Sequence, residues 1–238
     1  MRCYFIRHGQ SENNLLYETT GANADRSDDP LLTSLGVQQA QRAGAYLRDG
    51  LDYGDGKAAR AGFGITHIYS SLMVRAIGTA TEISKTINIP VTAWYALHEQ
   101  GGIYLDDKIT GESVGRPGKQ GKELMRLFPD LIFSDADLYP TGWWNCRPRE
   151  SKDETLARAR IVLKELFERH GGSEDRILLV SHAAFYNSFV EAILKIASPN
   201  GHWFSMNNTG ISRFNFETDF VDIIYHNYTG FLDLDQIT

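Results

Sequence analysis

Short apolar runs that alternate with helix-periodic segments restrict the fold of this chain more than any other feature. Cys3-Tyr4-Phe5-Ile6 opens the series, followed by a helical segment at about 34–47, a strand at 65–69, a helix at 72–86 and a short strand near 91–97. Farther on, Leu156, Ala159, Leu163, Leu166 and Phe167 recur at helical spacing between Glu154 and His170. The strand Ile177-Leu178-Leu179-Val180 follows, then a helix from Phe185 to about Ala197. Strands separated by helices pair in parallel through right-handed crossovers, and apolar runs of this kind suit strands covered on both faces. The expected fold class is therefore α/β, a three-layer α/β/α sandwich with a mainly parallel sheet.

Local signals place the boundaries. Thr33 can cap the helix at 34–47, Gly50 lies just past its end, and Gly171-Gly172 stops the helix that begins at Glu154. Asp49 to Gly64 is rich in glycine and aspartate and is expected to be a surface loop. Ile211–Phe216 and Val221–Tyr225 alternate in part and predict a strand pair at the sheet edge. Between Glu99 and Glu150 the pattern is irregular: Gly101-Gly102, Gly115-Arg116-Pro117-Gly118, a short helical candidate from Lys122 to Phe128, and Trp143-Trp144. Long irregular loops are functional or disordered, and the aromatics here oppose disorder. The expectation is one domain over 1–238, with a cap inserted at about 100–150 over the edge where the strands end.

The balance of 30 acidic against 24 basic residues gives a formal charge of −6, which opposes broad attraction to nucleic acid or to anionic lipid. The apolar runs are too short to span a bilayer, and with the first strand beginning almost at Met1 no export signal is expected. Cys3 and Cys146 make no disulfide framework and have no partners at metal-finger spacing, so a reducing, cytoplasmic setting is expected. Asn207-Asn208-Thr209 and Asn227-Tyr228-Thr229 match the glycosylation triplet, a pattern frequent by chance.

Two of the strands end in histidine. Arg7-His8-Gly9 follows the first, and Ser181-His182 follows the strand at 177–180. Ligands of open α/β sheets bind beyond the carboxyl ends of the strands, so parallel neighbours would turn both imidazoles into one crevice. Arg7 suits that crevice to an anion, and Arg75, in the first turns of the helix after Tyr69-Ser70-Ser71, can reach the same anion.

Taken together, Arg7-His8-Gly9-Gln10-Ser11-Glu12-Asn13-Asn14, Leu32-Thr33-Ser34-Leu35-Gly36-Val37-Gln38-Gln39-Ala40, Ser70-Ser71 with Arg75-Ala76 and Thr79-Ala80, Glu99, and Val180-Ser181-His182 resemble the histidine phosphatase superfamily, which includes the phosphoglycerate mutases. The segments occur in the family's order and span most of the chain. The resemblance implies that His8 is a nucleophile forming a phosphohistidine, that Arg7, Asn14, Arg75 and His182 contact the phosphate, and that Glu99 is the general acid. Such a site needs no cofactor and no metal. Phosphoryl transfer asks for a nucleophile, cationic donors for the equatorial oxygens and a proton for the leaving oxygen, and these residues offer all three. The two arginines also disfavour protonation of His8.

The sequence departs from the family in three places. Ser71-Leu72 replaces the usual Ser-Pro, Ala183-Ala184 stands where glycines are common, and Glu99-Gln100-Gly101-Gly102 lacks the Glu-Arg-His-Tyr-Gly run of the mutases. The first two remove no functional group. The third favours a metal-independent phosphatase acting on a small-molecule phosphate ester or a phosphoprotein over mutase-type transfer, with a non-catalytic phospho-ligand binding module as a further alternative. A zinc hydrolase built on His8, His182 and Glu99 is disfavoured by the adjacent cations Arg7 and Arg75. Cysteine chemistry is excluded because the sixth positions after Cys3 and Cys146 are Gly9 and Lys152, not arginine. Asp106, Asp107 and Glu112 stand as substitutes for Glu99. Lys108, Arg116, Lys119 and Lys122 are read as a solvated mixed-charge surface, and Trp143 and Trp144 as the cap's own core. Natural substrate and oligomeric state are left open.

Overall fold

The computed structural model describes residues 1–23, 25–52, 60–133, 139–196, 201–217 and 220–238. A central sheet has the order β11-β10-β1-β9-β4-β5-β8. In chain order the strands are β1 (Arg2–Arg7), β4 (His67–Ser70), β5 (Val91–Ala93), β8 (Leu131–Ile132), β9 (Arg176–Ser181), β10 (Ile211–Phe216) and β11 (Val221–Tyr228). Strands β1, β9, β4, β5 and β8 are mutually parallel, and the antiparallel pair β10 and β11 closes one edge. The mainly parallel sheet expected from the sequence is the one found.

Period-two alternation divides the strands between two cores. Tyr4, Ile6, Leu178 and Val180 face the side covered by helices α2 (Ser34–Asp49) and α3 (Val74–Ile87). Cys3, Phe5, Ile177 and Leu179 face the side covered by α5 (Lys152–His170) and α6 (Ala183–Leu194). Each fully buried aliphatic or aromatic side chain in these strands contributes roughly 1.5–3 kcal/mol relative to exposure. Three layers follow directly, since neither face of the central strands is left to solvent.

The helix starts obey local chemistry. Thr33 caps α2 through Gly36 N–H, and Ser151 with Glu154 forms a capping box at α5. A helix absent from the sequence reading, α1 (Glu12–Thr20), begins with the same device, Ser11 paired with Asn14. Its exposed, weakly apolar surface hid it from a search for periodicity. The strand expected near 91–97 stops at Ala93 and passes into a 3-10 turn at Tyr95–Leu97. Helix α6 ends at Leu194, and Ala197 lies outside the described residues.

One expectation about loops needs correction. The segment from Asp49 to Gly64 is not simply surface: Leu51–Asp52 (β2) pairs with Arg60–Ala61 (β3), Phe63 is fully buried, and Asp52 is buried. Asp52 accepts hydrogen bonds from Tyr4 Oη (2.8 Å) and Arg213 Nη1 (2.6 Å), so a carboxylate in a hydrophilic stretch is drawn inside by a buried guanidinium. Residues 53–59 of that stretch lie outside the described residues. The segment at 100–150, expected as an inserted cap, has regular structure of its own. It contains a hairpin of β6 (Tyr104–Asp106) and β7 (Ser113–Gly115) and the helix α4 (Gly121–Leu127), then supplies β8 to the sheet edge. Trp143 and Trp144 are buried together with Ile103 and Leu124 in the same core as α3. They are packing residues, and their core is continuous with that of the sheet.

Candidate active site

Strand register brings the site together. Arg7 pairs with Ser181 and Ser70 with Val180, so His8, Ser71 and His182 leave their strands at one level beyond the carboxyl ends of β1, β4 and β9. The turn after β1 is held from several sides. His8 N–H donates to Ser181 O (2.9 Å), Asn208 Nδ2 donates to His8 O (2.9 Å), and Gly9 N–H donates to Thr79 Oγ1 (2.9 Å). Gly9 is required by contact: a Cβ there would stand 2.4 Å from Gly36 O, and one on Gly36 would stand 2.1 Å from Gln10 O. The turn after β1 and the first turn of α2 touch backbone to backbone.

His8 is buried, and its Nδ1 lies 2.7 Å from Gly9 O. A carbonyl opposite Nδ1 fixes the proton on that nitrogen and leaves the lone pair on Nε2. Arg75 Nε donates to Nε2 at 3.1 Å. Burial, reinforced by the charges of Arg75 and Arg7, holds His8 well below the usual histidine range, so the imidazole is neutral. The His182 ring centre is 5.1 Å from that of His8. Burial, then the charge of Arg75, also depresses His182. Its Nε2 lies 2.9 Å from Ser71 Oγ, and its Nδ1 is buried with no hydrogen-bond partner among the described residues. A Ser71 hydroxyl donating to Nε2 corresponds to the His182 tautomer with its proton on Nδ1, and the other tautomer donates from Nε2 to Ser71 Oγ.

Arg7 donates from Nη1 to Met206 O (2.6 Å), while its buried Nε has no partner among the described residues. Burial lowers the pKa of Arg7 and of Arg75, and Glu99 acts on both in the opposite direction, which places its carboxylate within electrostatic reach of both guanidiniums. Asp29 also supports Arg75: it lies 3.8 Å from Arg75 Nη1 and accepts from Val74 N–H (3.1 Å) at the start of α3. Burial outweighs that ion pair and pushes the Asp29 carboxyl up to about 7.

Glu99 follows the 3-10 turn and docks on the amino end of α6. Its Oε1 accepts from Phe185 N–H (2.8 Å) and Gln100 N–H (2.9 Å), and its Oε2 from Ala184 N–H (3.3 Å). Helix amino ends attract carboxylates in this way. Asn14 uses its Oδ1 to accept from Ser11 N–H (3.0 Å) and from Asn208 Nδ2 (3.3 Å), and its amide nitrogen has no partner among the described residues.

Of the residues singled out from sequence, His8, Arg75 and His182 are in direct contact or adjacent, Arg7 and Glu99 flank them, and Asn14 is joined to His8 through Asn208. Of the substitutes for Glu99, Asp106 and Asp107 are used elsewhere, and Glu112 is exposed in the same hairpin. Asp106 accepts from Ser113 Oγ (2.6 Å), and Asp107 accepts from the backbone of Ile109 and Thr110 within the β6–β7 hairpin. Lys108 pairs with Asp25 and Lys119 with Glu123, as a mixed-charge surface does. Sequence reasoning assigned no role to Ser71, Thr79, Asp29 or Asn208. Ser71 and Thr79 lay inside the matched motifs, whereas Asn208 carried no signal beyond a glycosylation triplet.

Comparison with known proteins identifies the family and the fold. The family model of the histidine phosphatase superfamily (branch 1) matches residues 3–229. A probable phosphatase of Schizosaccharomyces pombe is 28% identical over 205 residues, covering 81% of this chain; the chain spans only 56% of that protein's length. A probable phosphoglycerate mutase of Salmonella typhi is 28% identical over 223 residues, covering 91% of this chain and 86% of the relative. Among solved structures, a phosphoserine phosphatase variant of Entamoeba histolytica in complex with phosphoserine superposes with a TM-score of 0.60 at 21% identity, over 97% of this chain and 98% of that one. The mycobacterial glucosyl-3-phosphoglycerate phosphatase gives 0.59 at 22%, over 96% and 99%. At such identities the two structures speak for the fold alone, while the family match extends over nearly the whole sequence. The chain therefore belongs to the histidine phosphatase superfamily.

Proposed function

We propose that this protein is a metal-independent phosphatase that hydrolyses phosphate monoesters through a phosphohistidine at His8, with Glu99 as proton donor. The observation that carries the reading is the state of His8: neutral, with Nδ1–H spent on Gly9 O and the Nε2 lone pair facing Arg75 at 3.1 Å. An incoming phosphate offers Arg75 a charged acceptor in place of Nε2, which frees the nucleophile as it binds. Nε2 then attacks phosphorus, the bond to the leaving oxygen breaks, and that oxygen takes a proton from Glu99. In the second step water attacks phosphorus, gives a proton to Glu99 and displaces His8, which returns neutral. Arg7, Asn14, Arg75 and His182 Nδ1 hold the equatorial oxygens. To donate, a protonated Glu99 must turn from the amino end of α6 toward the leaving oxygen.

The substrate class is a small-molecule phosphate ester or a phosphoprotein, handled in the cytoplasm. Supporting the hydrolytic reading, Glu99-Gln100-Gly101-Gly102 lacks the mutase run, and the structural neighbours include a phosphatase in complex with phosphoserine. Mutase-type transfer is the second reading, because relatives such as the Salmonella typhi protein are described as probable mutases. The test is a panel of sugar phosphates, phosphoglycerates, nucleotides and phosphopeptides with chelator present. Free phosphate is expected, and His8→Ala should lower turnover at least about 10³-fold. Isomerised 3-phosphoglycerate without phosphate release would establish the mutase reading instead, and full activity in His8→Ala would refute both.

A further inference from the structure

We propose that His67, His170 and Asp175 form a binding site for a divalent transition metal, zinc foremost, at the end of the sheet opposite His8. His67 opens β4, His170 closes α5, and Asp175 lies just before β9. Strands β4 and β9 are paired, with His67 level with Ile177, so the fold gathers three segments at one point. One ligand atom from each of the three residues lies within 4.8 Å of the others, and among the described residues this is the one such group of histidine, cysteine or carboxylate side chains.

The donor set suits zinc. Two imidazole nitrogens and one carboxylate oxygen, with water in the fourth position, satisfy its tetrahedral preference, and bonds of about 2.1 Å put neighbouring ligand atoms roughly 3.4 Å apart. His170 Nδ1 and Asp175 Oδ2 stand 2.8 Å apart, so the ion would enter by opening that hydrogen bond slightly while His67 closes in.

The outer partners are the second observation. Thr66 Oγ1 lies 2.8 Å from His67 Nδ1, and Tyr69 Oη lies 3.0 Å from His170 Nε2. Metal-binding imidazoles use their far nitrogen in this way, which fixes the tautomer and aims the near nitrogen at the ion. The site therefore takes His67 Nε2, His170 Nδ1 and an Asp175 oxygen. The carboxyl end of α5 adds a partial negative charge. Nearby cations are turned to partners of their own: Arg176 Nη1 donates to Phe63 O (2.6 Å) and Arg169 Nη2 pairs with Glu165 (2.5 Å). A bound ion ties β4, α5 and β9 together and stabilises the fold by mass action, with no part in the chemistry at His8.

The test uses the full chain stripped of metal, with zinc followed by calorimetry and cobalt by its visible absorption. One equivalent of zinc and a tetrahedral cobalt spectrum are expected, with a rise in Tm on adding zinc. His67→Gln and Asp175→Asn should each weaken binding at least tenfold, while His8→Ala binds as the parent does. His67 sits half-exposed at the start of a strand, so His67→Gln should fold and keep the parent's catalytic rate. No zinc binding by the parent, or binding indifferent to both substitutions, overturns the proposal. Loss of binding in His8→Ala also overturns it, because the ion would then sit between the catalytic histidines.

Discussion

Glu99 illustrates how much a single residue's role depends on its neighbours. Its oxygens rest on backbone N–H groups at the start of α6, yet the proposed chemistry needs it to hand a proton to a leaving oxygen. The demand for that proton scales with the basicity of the leaving group. Glu99→Gln should therefore lower kcat about 10²–10⁴-fold on an alkyl phosphate such as a sugar phosphate. On p-nitrophenyl phosphate, whose leaving oxygen departs as a stable anion, the loss should be far smaller. Steady-state rates on the two esters check this, and equal losses on both would remove Glu99 from the acid role. Position alone made Glu99 a candidate in the sequence. Asn208, which grips the backbone of His8 from 200 residues away, had nothing local to mark it.

Among the elements, the contact between the turn after β1 and the start of α2 couples two motifs that are separate in sequence. Gly36 tolerates no side chain there, since a Cβ would meet Gln10 O at 2.1 Å. Backbone must move to relieve such an overlap, at a cost of typically 1–3 kcal/mol. Gly36→Ala should thus lower the urea midpoint and also reduce kcat, because the displaced backbone carries His8. A variant that loses stability while keeping full kcat would show that the turn is held by Asn208 and Thr79 without help from α2. The elements with unbroken apolar runs or clear helical periodicity, β1, β9 and α5, were legible from sequence, as were the caps at Thr33 and Gly50. Helix α1 was not, having no buried face, and β8 was not, being two residues long and defined only by its partner β5.

For the whole molecule, buried histidines set the response to acid. His8, His98 and His182 are all held well below the usual histidine range, chiefly by burial. The unfolded chain protonates these residues near pH 6.5, whereas the folded chain does not. As pH falls below that value the unfolded state binds more protons, and each histidine then removes up to about 1.4 kcal/mol of stability per pH unit. Asp29, raised to about 7, acts in the opposite sense, since the folded state takes up a proton that the unfolded state binds only near pH 4. Three histidines outweigh one carboxyl, so the Tm should fall between pH 7.5 and 5.5, and Asp29→Asn should steepen the fall. A Tm that is flat or rising over that interval would contradict the burial of neutral imidazoles.

The sequence by itself determined the class of fold, the order of its main elements and the identity of the histidine and arginine pair beyond the strand ends. Apolar periodicity is a local property, and the motif residues lie within a few positions of the elements that carry them. Tertiary structure alone decided what sits beside them: Asn208 under His8, Asp29 behind Arg75, α6 beneath Glu99, and the cluster of His67, His170 and Asp175 at the far end of the sheet. These are contacts between segments distant in the chain, made by strand pairing and helix packing, and no periodicity encodes them.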